Sequence, residues 1–292
     1  MLKTEEQHRR DVCEVGRWIY ERGYVASTDG NISVRLDSRR ILTSPTCLNK
    51  GMMAPEDLVI IDHSGAQLSG SRRPSSEMGM HLLIYRRRPD VNAICHAHPP
   101  AATGYAVAGI PLNRAMLAEL VVTLGCVPLA RYGTPGTPEL AAAIEPLVEN
   151  HDAILLANHG VVTYGPDLLT AFFRMETAEH SARVGLVSRL LGKQMLLSDA
   201  EVNKLLAFRE NHSSNGAAPG LVTSGMRAAD DLPTVPGPSN GSSLPGRSSS
   251  PAADDLSSKP SNGTGDHERI TLTRAELDAL IAAAIQKANS LR

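Results

Sequence analysis

Apolar positions recur along the first two-thirds of the chain with two different periods. Val12, Val15, Trp18 and Ile19 follow helical spacing and Gly23 comes just beyond them, which predicts a first helix. Short β-like runs follow at Asn31 to Leu36, around Ile41 and Leu42, and at Leu58 to Ile61. Asp, Ser, Gly and Pro separate them, which suggests an antiparallel sheet. After Ser75 and Ser76, whose hydroxyls can cap free N–H groups, Met80, Leu83 and Ile84 predict a helix with Glu77 in its first turn, running to Arg88 before Pro89. Val91 to His98 reads as a strand closed by Pro99 and Pro100, and Ala101 to Ala108 suits a helix. Helices are expected at Pro138 to Glu149 and from Asp167 to about Leu191, with a strand at Ala153 to Ala157 leading into Asn158-His159-Gly160. Such a mixture fits α and β elements around one sheet.

The pattern changes after about Arg209. From Asn211 to Asp266 the chain is dominated by Ser, Pro, Gly, Ala, Asn and Asp, a composition that cannot bury a core. The expected organisation is a globular domain over residues 1–210, a disordered linker over 211–266 and an ordered segment over 267–292. In that last segment Thr273 and Glu276 are spaced as a capping box. Leu277, Leu280, Ile281, Ala284, Ile285 and Ala288 then form one apolar stripe of a short amphipathic helix.

Charge narrows the function classes. A formal net charge of -2 offers no broad attraction to nucleic acid or to an anionic membrane. The apolar runs stop short of a bilayer's thickness, and the opening MLKTEEQHRR is charged where a signal peptide is apolar, so a cytoplasmic protein is expected. Cys13, Cys47, Cys95 and Cys126 lie far apart and are expected as free thiols.

The chemistry gathers around histidines. Side chains alternate along a strand, so His96 and His98 point the same way, while Cys95 and Ala97 point the other. His159 follows another apolar strand, where Gly160 permits a sharp turn that exposes the ring. Three neutral imidazoles with one open position would make a catalytic zinc site, although spacing leaves open whether His159 meets the other two. Ser75-Ser76-Glu77 reads first as an ordinary helix start, and the same geometry binds a phosphate or sets a carboxylate beside a metal.

Taken in order, Gly30-Asn31, Thr46, Pro74-Ser75-Ser76-Glu77, His96-Ala97-His98 and Asn158-His159-Gly160 resemble the successive signatures of the class II aldolase and adducin head family, from about residue 5 to 209. The resemblance implies an α/β domain of three layers, with a central, largely antiparallel sheet flanked by helices, assembled as a homotetramer with sites between subunits. It implies His96, His98 and His159 as ligands of one Zn2+ per subunit. It places Gly30, Asn31, Thr46, Ser75 and Ser76 around the substrate phosphate and makes Glu77 the catalytic acid/base. The chain departs from the family pattern in two places. Cys47 stands where the family has glycine after the threonine, and the family's tyrosines are missing from Arg114 to Glu119 and after Tyr164.

The activity so implied is retro-aldol cleavage of a deoxy-ketose 1-phosphate, L-fuculose 1-phosphate or L-rhamnulose 1-phosphate, to dihydroxyacetone phosphate and lactaldehyde. A zinc ion would stabilise the charge that develops and Glu77 would protonate carbon. A sugar-phosphate 4-epimerase, a dehydratase of the same family and a non-catalytic adducin-like module are the alternatives. Glu77, where the epimerases tend to carry Asp, favours cleavage, and the full histidine set speaks against the module. The terminal segment resembles the encapsulation peptides of bacterial microcompartment cargo, which implies shell or cargo proteins as partners and a shell as location.

Overall fold

Helix α1 (Glu5–Glu21) starts at a reciprocal cap, in which the Thr4 hydroxyl accepts from the Gln7 amide and the Gln7 side chain accepts from the Thr4 amide. The chain leaves it through Gly23 at φ 68. The computed structural model describes residues 3–212. The remainder of the expected linker and the whole amphipathic segment over 267–292 lie outside the described residues.

Eight strands form one sheet: β1 (Asn31–Arg35), β2 (Ile41–Thr43), β3 (Val59–Ile61), β4 (Gln67–Ser69), β5 (Ala93–Ala97), β6 (Leu129–Ala130), β7 (Ala153–Leu156) and β8 (Gly160–Gly165). Their order is β4-β3-β2-β1-β5-β8-β7-β6. Every neighbouring pair is antiparallel except β6 and β7. Between and after them come α2 (Met78–Arg87), α3 (Pro100–Val107), α4 (Ala118–Thr123), α5 (Pro138–Val148), α6 (Leu168–Leu190) and α7 (Asp199–His212).

Strand alternation sorts the interior into two layers. Ile32 and Val34 of β1, Cys95 and Ala97 of β5, and Val161 of β8 face a core shared with Val12, Val15 and Ile19 of α1, Tyr105 of α3, and Phe172 and Met175 of α6. Ile94, Val162 and Tyr164 face the other way, against Met80 and Ile84 of α2 and Leu140 and Ile144 of α5. Each fully buried Val, Leu, Ile, Phe or Met among these contributes roughly 1.5–3 kcal/mol from apolar burial. The three-layer, largely antiparallel α/β arrangement expected above is the one observed.

Several elements lacked a sequence signal. β8 is the central partner of β5, yet its sequence GVVTYG is a short apolar run between glycines that reads equally as the end of a loop. The two-residue β6, the wholly exposed β4 and the six-residue α4 are too short for periodicity to show. α7 continues through His212, slightly past the expected start of the linker. All four cysteines are free thiols. Among the described residues, no helix is long and apolar enough to cross a membrane.

Candidate metal centre and phosphate pocket

β5 carries His96 on the face covered by α2, and His98 lies just past the strand, where its amide donates to the Tyr24 carbonyl. β7 and β8 form a tight antiparallel pair whose turn holds His159, with Asn158 in the left-handed region at φ 54. The expectation that Gly160 makes this turn is corrected: Asn158 supplies the positive φ. Gly160 is required for space, because a Cβ there would lie 2.5 Å from His98 Cδ2 and 2.6 Å from the Ala97 carbonyl oxygen.

The three rings meet with centroids 4.7 to 5.0 Å apart. His96 Nε2 and His98 Nε2 are 3.2 Å apart. Glu77 Oε2 lies 3.3 Å from His96 Nε2, and Oε1 lies 3.2 Å from His159 Nε2. Ligands about 2.0–2.1 Å from a tetrahedral ion stand roughly 3.3–3.4 Å from each other, so these separations have the size of the edges of a coordination tetrahedron. Glu77 Oε1 is buried beside His159 Nε2 and makes no hydrogen bond. The supporting contacts agree. His96 Nδ1 donates to the Val161 carbonyl at 2.9 Å, leaving Nε2 as the bare ligand nitrogen, and His98 Nδ1 faces Asp29 Oδ2 at 3.6 Å. The residues present therefore fit a metal ion, with His96, His98 and His159 as the cluster that would hold it.

Glu77 is not in the first turn of α2, as its spacing suggested. It is the residue before the helix, with no capping bond from its side chain, and that leaves the carboxylate free to face the histidines. The Ser75 hydroxyl accepts from the Glu77 amide at 3.3 Å and shapes the approach. Burial alone would raise the Glu77 carboxyl, but the adjacent His96 and His159 more than offset it and hold it well below the usual carboxylate range. Burial, followed by the charges of His96 and His159, lowers His98 to about 3, which keeps it neutral as a ligand must be.

A cavity of about 330 Å³ opens beside this cluster. Gly30, Asn31, Thr46, Ser75, Ser76, Glu77, His98 and His159 all line it, so every predicted site residue except the more deeply buried His96 reaches its wall. The Thr46 amide donates to the Arg73 carbonyl at 3.0 Å, which lays the threonine loop along the serine loop. Gly30 takes φ 71, and a Cβ there would lie 2.8 Å from the His96 carbonyl oxygen. Cys47 takes φ 55, a left-handed conformation that glycine adopts freely. The Asn31 side chain, expected at the phosphate, is engaged with Glu77 and His81.

Sequence reasoning missed Lys50, Asp29 and His81. Lys50 is 1% exposed and lines the cavity; its Nζ donates to the carbonyls of Thr28 at 2.9 Å and Leu48 at 2.6 Å. Burial lowers it to about 8, against a smaller opposing pull from Asp29. A lysine in a polar loop ordinarily points into water, so nothing in the local pattern marked it.

The profile of the class II aldolase and adducin N-terminal domain matches residues 10–186. The 3-oxo-tetronate 4-phosphate decarboxylase of Haemophilus influenzae is 35% identical over 207 residues, covering 69% of this chain and 97% of its own. The 5-deoxy-D-ribulose 1-phosphate aldolase of Bacillus thuringiensis serovar kurstaki is 33% identical over 68% of this chain and 94% of its own. A solved L-fuculose 1-phosphate aldolase superposes with a TM-score of 0.65 at 32% identity, over 69% of this chain and 95% of that one. The chain belongs to the class II aldolase and adducin N-terminal domain family, among its metal-dependent lyases of the aldolase type.

Proposed function

We propose that this enzyme cleaves a deoxy-ketose 1-phosphate, L-fuculose 1-phosphate or L-rhamnulose 1-phosphate, into dihydroxyacetone phosphate and lactaldehyde, with one zinc ion per subunit. The observation that carries this reading is the convergence of His96, His98 and His159 on the Glu77 carboxylate at the wall of a cavity of about 330 Å³. A zinc ion held there supplies Lewis-acid stabilisation of the negative charge that builds on oxygen as the carbon–carbon bond opens. The amides and hydroxyls of Gly30, Asn31, Thr46, Ser75 and Ser76 hold the phosphate, with the Lys50 ammonium as the lysine or arginine that lines the wall among the described residues. Glu77 exchanges a proton with the carbon that becomes the hydroxymethyl group of dihydroxyacetone phosphate.

The decarboxylase relative supports a second reading with the same machinery. Loss of CO2 from a 3-oxo-tetronate 4-phosphate leaves the same three-carbon enediolate as the aldol cleavage does. Decarboxylation needs no base for a C4 hydroxyl, and among the described residues no tyrosine lines the cavity. In the aldolase reading, a neighbouring subunit of a homotetramer supplies that base. The purified full chain, loaded with zinc, is incubated with the two hexulose phosphates, 5-deoxy-D-ribulose 1-phosphate and 3-oxo-tetronate 4-phosphate. Chelator-sensitive dihydroxyacetone phosphate with lactaldehyde supports the first reading, and dihydroxyacetone phosphate with CO2 supports the second. No product from any ketose phosphate defeats the aldolase reading.

The sequence over 267–292 supports a role as microcompartment cargo through its apolar positions at i, i+3, i+4, i+7 spacing and the Pro/Ser/Gly-rich composition before it. Deleting Asp266 to Arg292 should abolish co-purification with shells and spare turnover, and a truncated enzyme that still enters shells refutes the assignment.

A further inference from the structure

The face of β1 turned toward α2 carries polar rather than apolar side chains, and they run away from Glu77 in a line. Asn31 and Ser33 lie two residues apart on one face of the strand, and His81 and Tyr85 lie four apart on one face of the helix. The two spacings, about 6–7 Å each, allow the rows to interleave. Asn31 Nδ2 contacts Glu77 Oε2 at 2.7 Å, and Asn31 Oδ1 contacts His81 Nε2 at 2.6 Å. His81 Nδ1 contacts Ser33 Oγ at 2.7 Å, which contacts the Tyr85 hydroxyl at 2.8 Å. None of Asn31, Ser33, His81 and Tyr85 is more than 2% exposed.

The chemistry of each group gives this line a single direction. The ionised Glu77 carboxylate only accepts, so the Asn31 amide donates to it and turns its oxygen toward His81. That oxygen needs a donor, so His81 carries its proton on Nε2. Burial lowers His81 to about 3, which leaves Nδ1 as a bare acceptor. Ser33 must then donate to Nδ1, and Tyr85 must donate to Ser33. Each link depends on the last, and a break leaves a buried polar atom without a partner. Apolar side chains would fill this strand–helix contact without that liability. The line ends on one oxygen of the carboxylate, while the other, Oε1, has no hydrogen bond.

We propose that His81 is a positioning residue that acts through Asn31 to anchor Glu77 Oε2, so that Oε1 is the oxygen that exchanges a proton with substrate carbon. The inference rests on the proposed role of Glu77. In that step a C–H proton of dihydroxyacetone phosphate passes to Oε1 and the C–H electron pair remains on the substrate as the enediolate; the reverse step returns a proton from Oε1 to carbon.

Two measurements on the zinc-loaded full chain test it. In deuterated water, exchange of the hydroxymethyl protons of dihydroxyacetone phosphate reads the Glu77 step alone. His81→Leu should slow exchange about 100-fold, on the order expected when a reacting group is misplaced by about 1 Å. The Kd of dihydroxyacetone phosphate and the zinc content should stay within twofold of the parent. His81→Gln, which keeps an N–H for Asn31, should recover to within tenfold of the parent. Equal losses in the two variants, or exchange within threefold of the parent in His81→Leu, overturn the proposal. Nitrogen NMR of the parent supplies the second arm and needs no turnover: His81 should carry its proton on Nε2, and a proton on Nδ1 overturns the proposal. A parent that exchanges nothing but shows the Nε2–H form counts against the acid/base role of Glu77, while the direction of the line stands.

Discussion

Replacing Gly160 by alanine tests how tightly the β7–β8 turn is pressed against the histidine cluster. The new Cβ would lie 2.5 Å from His98 Cδ2, 2.6 Å from the Ala97 carbonyl oxygen and 3.3 Å from His96 Cε1. Carbon atoms in comfortable contact stand at about 3.5–4.0 Å, so the His98 ring must retreat by roughly 1 Å or β8 must separate from β5. Overpacking of this kind costs about 1–3 kcal/mol. At roughly 2–4 °C per kcal/mol for a domain of this size, an expected cost of about 2 kcal/mol lowers Tm by roughly 4–8 °C. The same retreat exceeds the roughly 0.2 Å tolerance of a ligand bond, so metal affinity should fall at least tenfold. Calorimetric melting of the chelated protein reads the first effect, and competition with a chromophoric chelator reads the second. Gly79→Ala is the control, since a Cβ there meets nothing within 4 Å and the position is helical; it should gain about 0.5–1 kcal/mol. A Gly160→Ala protein with unchanged Tm and parental metal affinity would refute the claim that backbone proximity, rather than turn conformation, demands this glycine.

Three further outcomes are expected. Cys47→Gly should stabilise the fold by roughly 1 kcal/mol, because Cys47 bears the left-handed φ of 55 that glycine adopts freely; an unchanged urea midpoint would count against strain there. Lys50 sheds its proton at about 8 in the fold and at 10.5 when unfolded, so the unfolded chain binds more protons between those values and stability rises with pH there. Relative to Lys50→Met, the parent should gain on the order of 1 kcal/mol per pH unit from about pH 8 to 9.5, and parallel urea curves would refute this. Glu77→Gln should keep the bound metal and lose roughly 100- to 10,000-fold in turnover; loss of metal with preserved specific activity per metal ion would contradict the proposed acid/base role.

The histidine pair was legible because a strand has a period of two, so His96 and His98 share a face whatever surrounds them. The helix after Ser76 was legible from its apolar positions and Pro89, but the exact status of Glu77 was not. Whether a residue lies inside the first turn or just before it depends on backbone angles of one residue, here φ -96 and ψ 14. β8 was hidden because a short apolar run between glycines carries no periodicity of its own until β5 pairs with it.

Local order along the chain therefore determined which residue types stand on strands and helices, that His96 and His98 act together, and that the motif set belongs to one family. Tertiary structure decided what those residues meet. It brought His159 to the pair, turned Glu77 toward the three rings, buried Lys50 at the wall of the cavity and joined His81 to Glu77 through Asn31. These contacts span 19 to 82 residues of chain, and the physical reason they escape a sequence reading is that pairing at such range is set by sheet register and helix packing, which depend on all the strands at once.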